Sequence, residues 1–305
     1  MRKTTLLLCL AVIAIGSSGS LRAFAAGPAS GDFAGAVEID GGRRLYLECR
    51  GARSPTVILE AGLRNRADIW SVQPDAGEAV LSAVAAFTRV CAYDRPGTTL
   101  GTDQLSRSDP VPMPRTAKDA VADLHALLEA AAVPGPYVLV GHSTGGLIIR
   151  LYASTYPKDV AGLVLVDAIP EGVQTAMTQE EWTLYDRLLL TEPPAAIAYY
   201  KDLETIDFDM SFEQMRRATP LSPLPLIVIS KGRPFELPSD LPAGLPAAVE
   251  KAWLAGQQEL AGLLPDTPHI IAAKSSHYVP IEQPQLVIDA IKQVVEKIRA
   301  QALAQ

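Results

Sequence analysis

A serine between glycines follows a short apolar run near the middle of the chain. The run at residues 137–141 leads into the pattern GHSTG at residues 141–145, and an amphipathic stretch follows at once. The pattern G-x-S-x-G between a strand and a helix is typical of a sharp turn that exposes the serine hydroxyl at the start of the helix. We therefore predict that Ser143 is a nucleophile. A structural glycine-rich turn is the alternative interpretation.

A serine hydroxyl is too weakly acidic to attack unaided, so a histidine must accept its proton. The chain has four histidines. His142 adjoins the serine and points away from its side chain at such a turn, whereas His125 lies within a predicted helix and His269 begins a predicted strand. His277 lies in a loop after the last predicted strand, where open α/β sheets form their ligand sites. His277 is therefore the predicted base, and a loop histidine without a role is the alternative.

Short apolar runs rich in β-branched residues alternate with longer stretches of helical periodicity. This alternation predicts an α/β fold with an eight-stranded, mostly parallel sheet and helices on both faces. The predicted strands are residues 36–39, 44–48, 56–59, 88–93, 137–141, 162–166, 226–230 and 269–273. Because the turn signal DGG separates the first two runs, we predict an antiparallel hairpin at the sheet edge. The predicted helices are residues 77–87, 115–132, 144–156, 246–264 and 283–302.

Residues 170–223 interrupt this alternation, because they contain helical pieces but no convincing strand. We predict a helical lid insertion over the carboxyl ends of the strands. Its aromatic residues are predicted to cover a site there, and packing of the insertion onto the body is the alternative for each of them. They are Trp182, Tyr185, Tyr199, Tyr200, Phe208 and Phe212.

Residues 1–25 have the features of a cleavable signal peptide. Arg2 and Lys3 precede an apolar run at residues 6–15, and small residues surround Phe24. This pattern predicts cleavage after Ala25 and a secreted or periplasmic protein without a stable membrane span. An uncleaved membrane anchor is the alternative. Residues 26–305 then form one predicted domain that carries the insertion.

The charge balance argues against nucleic acid as a partner. The formal net charge is −7 at pH 7, and removal of residues 1–25 takes away three basic residues and no acid. The rest of the chain has no basic block that can follow a phosphate backbone. The histidines show no ligand spacing and do not cluster with cysteines, so we predict no metal and no cofactor.

Two cysteines, Cys49 and Cys91, remain after the predicted cleavage. In an exported chain they form either one disulfide or two buried thiols, and the sequence leaves both possibilities open.

Three further motifs accompany the serine and the histidine. They are LEAGL at residues 59–63, YDRPG at residues 93–97 and LVLVD at residues 163–167. Together with the turn at Ser143 and the loop at His277, they resemble the α/β-hydrolase superfamily, and within it exported bacterial hydrolases similar to proline iminopeptidases and to esterase-like or lipase-like members. The resemblance covers nearly all of residues 26–305. It implies the α/β-hydrolase fold and the chain order nucleophile, acid, histidine.

The acid is the point at which the chain departs from the commonest pattern of this superfamily. That pattern has an aspartate shortly after the seventh strand, whereas residues 230–236 read SKGRPFE. The resemblance implies that Asp167, at the end of the sixth strand, supplies the acid instead. Glu236 and Asp240 are alternatives, and Asp167 then has a structural or helix-capping role.

The same resemblance implies an oxyanion hole formed by the backbone N–H groups of Leu63 and Thr144. Asp94 and Arg95 resemble framework residues that brace the loop after the fourth strand, and we assign them no chemistry. Backbone donors of this kind stabilise the negative charge that develops in acyl transfer.

The predicted function is hydrolysis of a small-molecule carboxylic ester through an acyl-enzyme on Ser143. Amide or peptide hydrolysis, as in iminopeptidases, is the first alternative. An acidic lid face ready for a substrate amine would favour it, and the predicted insertion contains Glu180, Glu181, Asp207 and Asp209. A hydrolase-fold binding protein with little turnover is the second alternative.

Overall fold

Eight strands form one sheet in the computed structural model, which describes residues 31–73 and 77–304. Each of them overlaps a predicted strand. The predicted signal peptide, residues 1–25, lies outside the described residues. The strands are β1 (Phe33–Glu38), β2 (Arg44–Arg50), β3 (Thr56–Glu60), β4 (Val90–Tyr93), β5 (Tyr137–His142), β6 (Val160–Val166), β7 (Leu226–Lys231) and β8 (His269–Ala272).

The strand order across the sheet is β1-β2-β4-β3-β5-β6-β7-β8. From β4 to β8 all neighbours run parallel, and the pairs β1–β2 and β2–β4 are antiparallel. The predicted edge hairpin is therefore confirmed. Its turn contains Gly41 and Gly42, each at a φ of 77°, a conformation that glycine adopts without steric cost.

The helices cover both faces of this sheet, as predicted. Among the described residues, none of them is long and apolar enough to cross a bilayer. The helices are α1 (Val80–Ala85), α2 (Ala117–Ala130), α3 (Thr144–Thr155), α4 (Gly172–Thr175), α5 (Gln179–Tyr185), α6 (Phe208–Arg216), α7 (Leu245–Ala261), α8 (Val279–Glu282) and α9 (Pro284–Leu303).

Alternate residues of the central strands enter two separate hydrophobic cores. Leu139 and Leu163 belong to a core with the apolar faces of α2 and α3. Val138 and Val164 point to the other face and belong to a core with α1 and α9. Strands buried on both faces read as continuous apolar runs, which is the pattern seen in the sequence.

The segment between β6 and β7 contains α4, α5 and α6, and it packs on the α3 side of the sheet. Most of its aromatic residues have a packing role. Trp182 and Phe208 both pack against Phe212, with distances between ring centres of 5.6 and 5.7 Å. The hydroxyls of Tyr199 and Tyr200 donate to the backbone carbonyl of Thr102. The segment is therefore attached to the body at its apolar core and at the loop after β4.

Cys49 in β2 and Cys91 in β4 lie directly opposite each other in the antiparallel ladder. Their Cα atoms are 4.0 Å apart and their sulfurs are joined in a disulfide. Both residues are fully buried. Of the two possibilities that the sequence left open, the structure has the disulfide.

Candidate active site

The predicted nucleophile, base and acid all follow strands of the parallel part of the sheet. Ser143 comes directly after β5, Asp167 directly after β6, and His277 lies five residues beyond the end of β8. Because the carboxyl ends of parallel strands meet at one edge, the three side chains converge although they are far apart in sequence. The backbone ties them together as well, since the N–H of Ser143 donates to Val166 O at 3.1 Å.

Ser143 lies on a sharp turn, where its backbone conformation is strained and neighbouring backbone segments approach closely. Its φ and ψ are 54° and −123°, outside the regions that non-glycine residues usually occupy. A Cβ at Gly141 would lie 2.5 Å from Gly145 O, and a Cβ at Gly145 would lie 2.4 Å from Glu60 O. The glycines therefore allow α3 to start against the end of β3. The serine hydroxyl is placed at the N-terminus of α3, where the helix dipole favours negative charge.

A continuous chain of hydrogen bonds links the three side chains. Ser143 Oγ lies 2.9 Å from His277 Nε2, and His277 Nδ1 lies 2.6 Å from Asp167 Oδ2. A carboxylate only accepts hydrogen bonds, so the network assigns the imidazole proton to Nδ1 and leaves Nε2 as the acceptor for the serine hydroxyl. This is the arrangement that a general base requires.

Asp167 is fully buried and is held by two donors besides the histidine. Its Oδ1 atom accepts from the backbone N–H of Lys231 at 3.0 Å and from the indole Nε1–H of Trp253 at 3.0 Å. A buried carboxylate is stable only when it is well supplied with donors. These contacts fix the orientation of the oxygen that faces His277.

The two alternative acids are directed elsewhere. Glu236 lies on the surface with its Oε1 atom 3.0 Å from Arg233 Nη2, and its side chain is 77% exposed. Asp240 is exposed as well. The carboxylate that the structure brings to His277 is that of Asp167.

The histidine next to the serine supports the loop that carries His277. His142 Nε2 lies 2.8 Å from the backbone carbonyl of His277, so this nitrogen carries the proton and donates it. The ring is buried, and burial together with the neighbouring His277 lowers the pKa of His142 to about 3. The remaining histidines lie away from the serine: His125 stacks on Tyr156, and His269 lies 2.7 Å from Ser230 Oγ.

Gly62 lies against the serine on the side of the predicted oxyanion hole. A Cβ at Gly62 would lie 3.1 Å from Ser143 Cβ and 3.0 Å from His142 Nδ1. Leu63 and Thr144 both line the cavity at this point. Thr144 is the first residue of α3, where backbone N–H groups have no partner within the helix. Both residues predicted to supply the donors therefore line the same cavity as Ser143.

A cavity of about 740 Å³ opens above Ser143 and His277. Its walls are mostly apolar side chains from the segment between β6 and β7 and from the region around β7 and α7. Of the six aromatic residues predicted to cover the site, Tyr185 lines this cavity and the other five do not. The apolar lining residues include Ile169, Tyr185, Leu188, Leu189, Leu190, Ile197, Phe235, Leu237, Val249 and Trp253.

Charged groups at the cavity are already paired. The guanidinium of Arg64 donates to backbone carbonyls of the segment between β6 and β7, among them Leu190 O and Thr191 O at 2.8 Å. Glu236 and Glu282 both face Arg233, with N···O distances of 3.0 and 3.8 Å. Over the described parts of the chain, no group of three or more His, Cys, Asp or Glu side chains is arranged to hold a metal ion.

Two features of the site were not predicted from the sequence. Trp253 lies within α7, 86 positions from the carboxylate that it contacts, and its helical spacing indicates only a core residue. Glu204 lies between β6 and β7 and binds Arg95, 109 positions away. An acid within residues 170–223 and an arginine in the YDRPG motif are the sequence signals that this pair leaves.

Comparisons with known proteins agree with this architecture. A sequence profile described as the alpha/beta hydrolase family matches residues 57–290. Uncharacterized protein YqjL of Bacillus subtilis (strain 168) is 27% identical over 248 residues, which cover 80% of this chain and 85% of that protein. Mouse alpha/beta hydrolase domain-containing protein 10 has a TM-score of 0.61 at 18% identity, over 87% of this chain and 99% of its own. The enol-lactonase from Burkholderia xenovorans LB400 has a TM-score of 0.58 at 17% identity, over 86% and 100%.

Proposed function

The chain belongs to the alpha/beta hydrolase family, and we propose that it is a serine hydrolase that cleaves carboxylic esters through an acyl-enzyme. In this proposal Ser143 is the nucleophile, His277 the general base and Asp167 the acid. The observation that carries it is the unbroken hydrogen-bonded chain from Asp167 through His277 to Ser143, at 2.6 and 2.9 Å, beneath an open cavity. Groups that act as nucleophile and base have this mutual geometry.

Acylation follows from the proton positions. His277 Nε2 accepts the hydroxyl proton while Ser143 Oγ attacks the ester carbonyl, and Asp167 stabilises the imidazolium that forms. The imidazolium then gives its proton to the leaving alcohol. A water molecule then gives a proton to His277 Nε2 and attacks the carbonyl of the acyl-enzyme. The carboxylic acid product leaves, and the proton returns to Ser143 Oγ. Throughout, the donors to Asp167 keep the carboxylate aligned with Nδ1.

The negative charge of the tetrahedral intermediate requires donors opposite the nucleophile. We assign this role to the backbone N–H groups of Leu63 and Thr144, because both residues line the cavity beside Ser143. Removal of one oxyanion donor typically costs about 10²- to 10³-fold in rate.

The cavity favours an uncharged, hydrophobic substrate. Its walls are largely apolar, and its cation, Arg64, already binds the carbonyls of the insertion. A substrate carboxylate would therefore be desolvated without gaining a partner. The four acids whose place at the site would favour amide hydrolysis, Glu180, Glu181, Asp207 and Asp209, are not among the described residues that line the cavity. Ester hydrolysis needs none of them.

A fluorophosphonate probe tests the nucleophile. We expect the purified wild-type protein to gain the mass of one phosphonyl group on Ser143, with Ser143→Ala unlabelled. The His277→Gln variant controls for the base, and it should label at least about 10²-fold more slowly because no group accepts the serine proton. Failure of the wild-type protein to label, while a known serine hydrolase labels beside it, would show that the proposal is wrong.

Matched substrates test the bond and the charge preference. We expect para-nitrophenyl hexanoate to be cleaved with a kcat/KM at least about 10²-fold above that of hexanoyl para-nitroanilide, and a para-nitrophenyl ester with a terminal carboxylate to react at least about tenfold more slowly. A simple lactone belongs in the panel because one structural neighbour is named an enol-lactonase. A preference for the anilide would favour amide hydrolysis instead.

We also propose that the protein is exported with cleavage after Ala25. The disulfide between Cys49 and Cys91 supports this, because such bonds persist mainly outside the reducing cytosol. Amino-terminal sequencing of the protein recovered from the culture medium or periplasm tests the cleavage site. Recovery of a full-length chain in the membrane fraction would support an uncleaved anchor.

A further inference from the structure

One peptide unit next to the serine is fixed by a guanidinium. Arg95 Nη2 donates to the carbonyl of Gly62 at 2.7 Å. That carbonyl and the N–H of Leu63 belong to the same peptide plane. Because the bond is trans and planar, the two groups point in opposite directions. The N–H of Leu63 therefore points away from Arg95.

The guanidinium of Arg95 is itself fully engaged. All five of its N–H groups have acceptors: two bonds go to the Glu204 carboxylate, at 2.6 and 2.9 Å, two to the carbonyls of Ala61 and Gly62, and one to the Glu60 carboxylate. Its side chain is 4% exposed. A planar group with five acceptors has one orientation. The guanidinium therefore fixes the orientation of the Gly62–Leu63 peptide together with the backbone N–H of Asn65, which donates to the same carbonyl at 3.1 Å.

Glu204 supports the other side of the same turn. Its Oε2 atom accepts from the backbone N–H of Arg64 at 2.6 Å, and its own N–H donates to Gly97 O at 2.8 Å. A Cβ at Gly97 would lie 2.5 Å from that nitrogen, so the approach requires glycine. An acid from the insertion thus holds the turn that carries Gly62 and Leu63.

We propose that Arg95 and Glu204 are positioning residues of the oxyanion hole: they aim the N–H of Leu63 at the reacting carbonyl oxygen. This rests on the serine hydrolase function proposed above. The hydrogen bond from the Arg95 guanidinium to the Gly62 carbonyl also polarises the peptide and makes its N–H a stronger donor, as in hydrogen-bonded chains. This positioning role gives Arg95, the arginine of the YDRPG motif, a part in the reaction beyond bracing a loop.

The test uses Glu204→Gln and Arg95→Lys, with Asp123→Asn as the matched control. Asp123 is a buried acid that binds two arginines, Arg43 and Arg115, away from the cavity. With para-nitrophenyl hexanoate we expect kcat to fall on the order of 10²-fold in both test variants, with KM within about threefold. We expect Asp123→Asn to keep its kcat within about twofold of the wild type, even if its melting temperature falls by as much as those of the two test variants.

Transition-state binding separates positioning from structure. The trifluoromethyl ketone with the same pentyl chain forms an oxyanion on Ser143, and its affinity should fall in parallel with kcat. The affinity for hexan-1-ol, which keeps the pentyl chain but has no carbonyl oxygen for the oxyanion donors, should stay within about threefold. Equal losses for the ketone and hexan-1-ol, or ketone affinities that match those of the control, would overturn the inference.

The ¹⁵N resonance of Leu63 can be measured without any turnover, so it tests the positioning role separately from the proposed function. We expect the ¹⁵N resonance of Leu63 to move in both test variants, because the hydrogen bond on its peptide carbonyl is changed, and to stay unmoved in Asp123→Asn. A wild-type protein that hydrolyses nothing refutes the serine hydrolase. An unmoved Leu63 resonance refutes the positioning role, whatever the protein hydrolyses.

Discussion

Asp167 combines full burial with an unusual backbone. Its φ is 40°, and its carboxylate is reached by a backbone N–H, an indole N–H and the imidazole of His277. A residue in a sparsely populated conformation persists only where the surroundings determine it. Here they place one carboxylate oxygen against the histidine and the other against two fixed donors.

Asp167→Asn tests the acid. The amide cannot stabilise the imidazolium and favours the wrong tautomer of His277, so we expect kcat with para-nitrophenyl hexanoate to fall by about 10³- to 10⁴-fold. Glu236→Gln and Asp240→Asn are the comparison, and each should remain within about tenfold of the wild type. Near wild-type turnover in Asp167→Asn, with a large loss in Glu236→Gln, would move the acid to Glu236.

Trp253→Phe tests the indole donor. The substitution keeps an aromatic ring but removes the N–H that lies 3.0 Å from Asp167 Oδ1. A hydrogen bond to a charged group contributes roughly 1.5–3 kcal/mol, so we expect kcat/KM to fall by about 10- to 100-fold. Trp182→Phe is the control, because Trp182 donates to the carboxylate of Asp209 at 2.8 Å, away from the cavity. Equal activity in the two variants would contradict a role of the indole.

At the scale of elements, the site depends on how closely α3 approaches the end of β3. A Cβ at Gly145 would meet the backbone carbonyls of Glu60 and Ala61 at 2.4 and 2.6 Å. Neither carbonyl can move without shifting the turn at Gly62. Gly145 therefore maintains the spacing between Ser143 and the turn at Gly62.

Gly145→Ala is expected to destabilise the protein by about 1–3 kcal/mol and to reduce kcat by at least about tenfold, because the helix must move away from the strand. Urea unfolding and ester turnover measure the two effects. At Gly262 a Cβ would meet its nearest atom, Glu259 O, at 3.4 Å, so Gly262→Ala should change stability by less than about 1 kcal/mol. A Gly145→Ala protein as active and stable as this control would contradict the argument.

The strands and long helices could be predicted from the sequence because the periodicity of apolar residues is a local property of the chain. All eight predicted strands exist within a few residues, since each is a short apolar run bounded by turn residues. The predicted ends are less accurate: β1 begins at Phe33 rather than at residue 36, because its pairing with β2 continues to Cys49. The long predicted helices are likewise found as α2, α3, α7 and α9.

At the scale of the whole molecule, prediction from sequence was limited by contacts between distant segments. The pair Trp253–Asp167 and the pair Glu204–Arg95 each join separate elements, and neither has a local pattern. The aromatic residues of the insertion show the same limit, because their side chains look alike in sequence whether they line a cavity or a core. Only Tyr185 of that set lines the cavity.

The stability of the whole molecule should depend on the neutral form of His142. Burial and the nearby His277 lower its pKa from 6.5 to about 3 in the folded protein. Below pH 6.5 the unfolded chain therefore binds a proton that the folded chain does not, so stability is lost as the pH falls towards 3.

His142→Gln removes this titration and keeps a donor for the carbonyl of His277. We expect the unfolding free energy of the wild type to fall relative to that of the variant by about 1.4 kcal/mol per pH unit between pH 6 and pH 4, in urea titrations without reductant. Parallel pH profiles for the two proteins would contradict a neutral, buried His142.

The bridge between Cys49 and Cys91 has a further consequence for how the sheet opens. Both half-cystines are fully buried between β2 and β4, so a soluble thiol reaches them only after the two strands separate. The rate of disulfide reduction by dithiothreitol should therefore reach a plateau as the thiol concentration rises, and the plateau gives the rate at which the two strands separate. Alkylation and mass spectrometry measure this rate, so the unlabelled protein contains its own reporter of local unfolding in this part of the sheet.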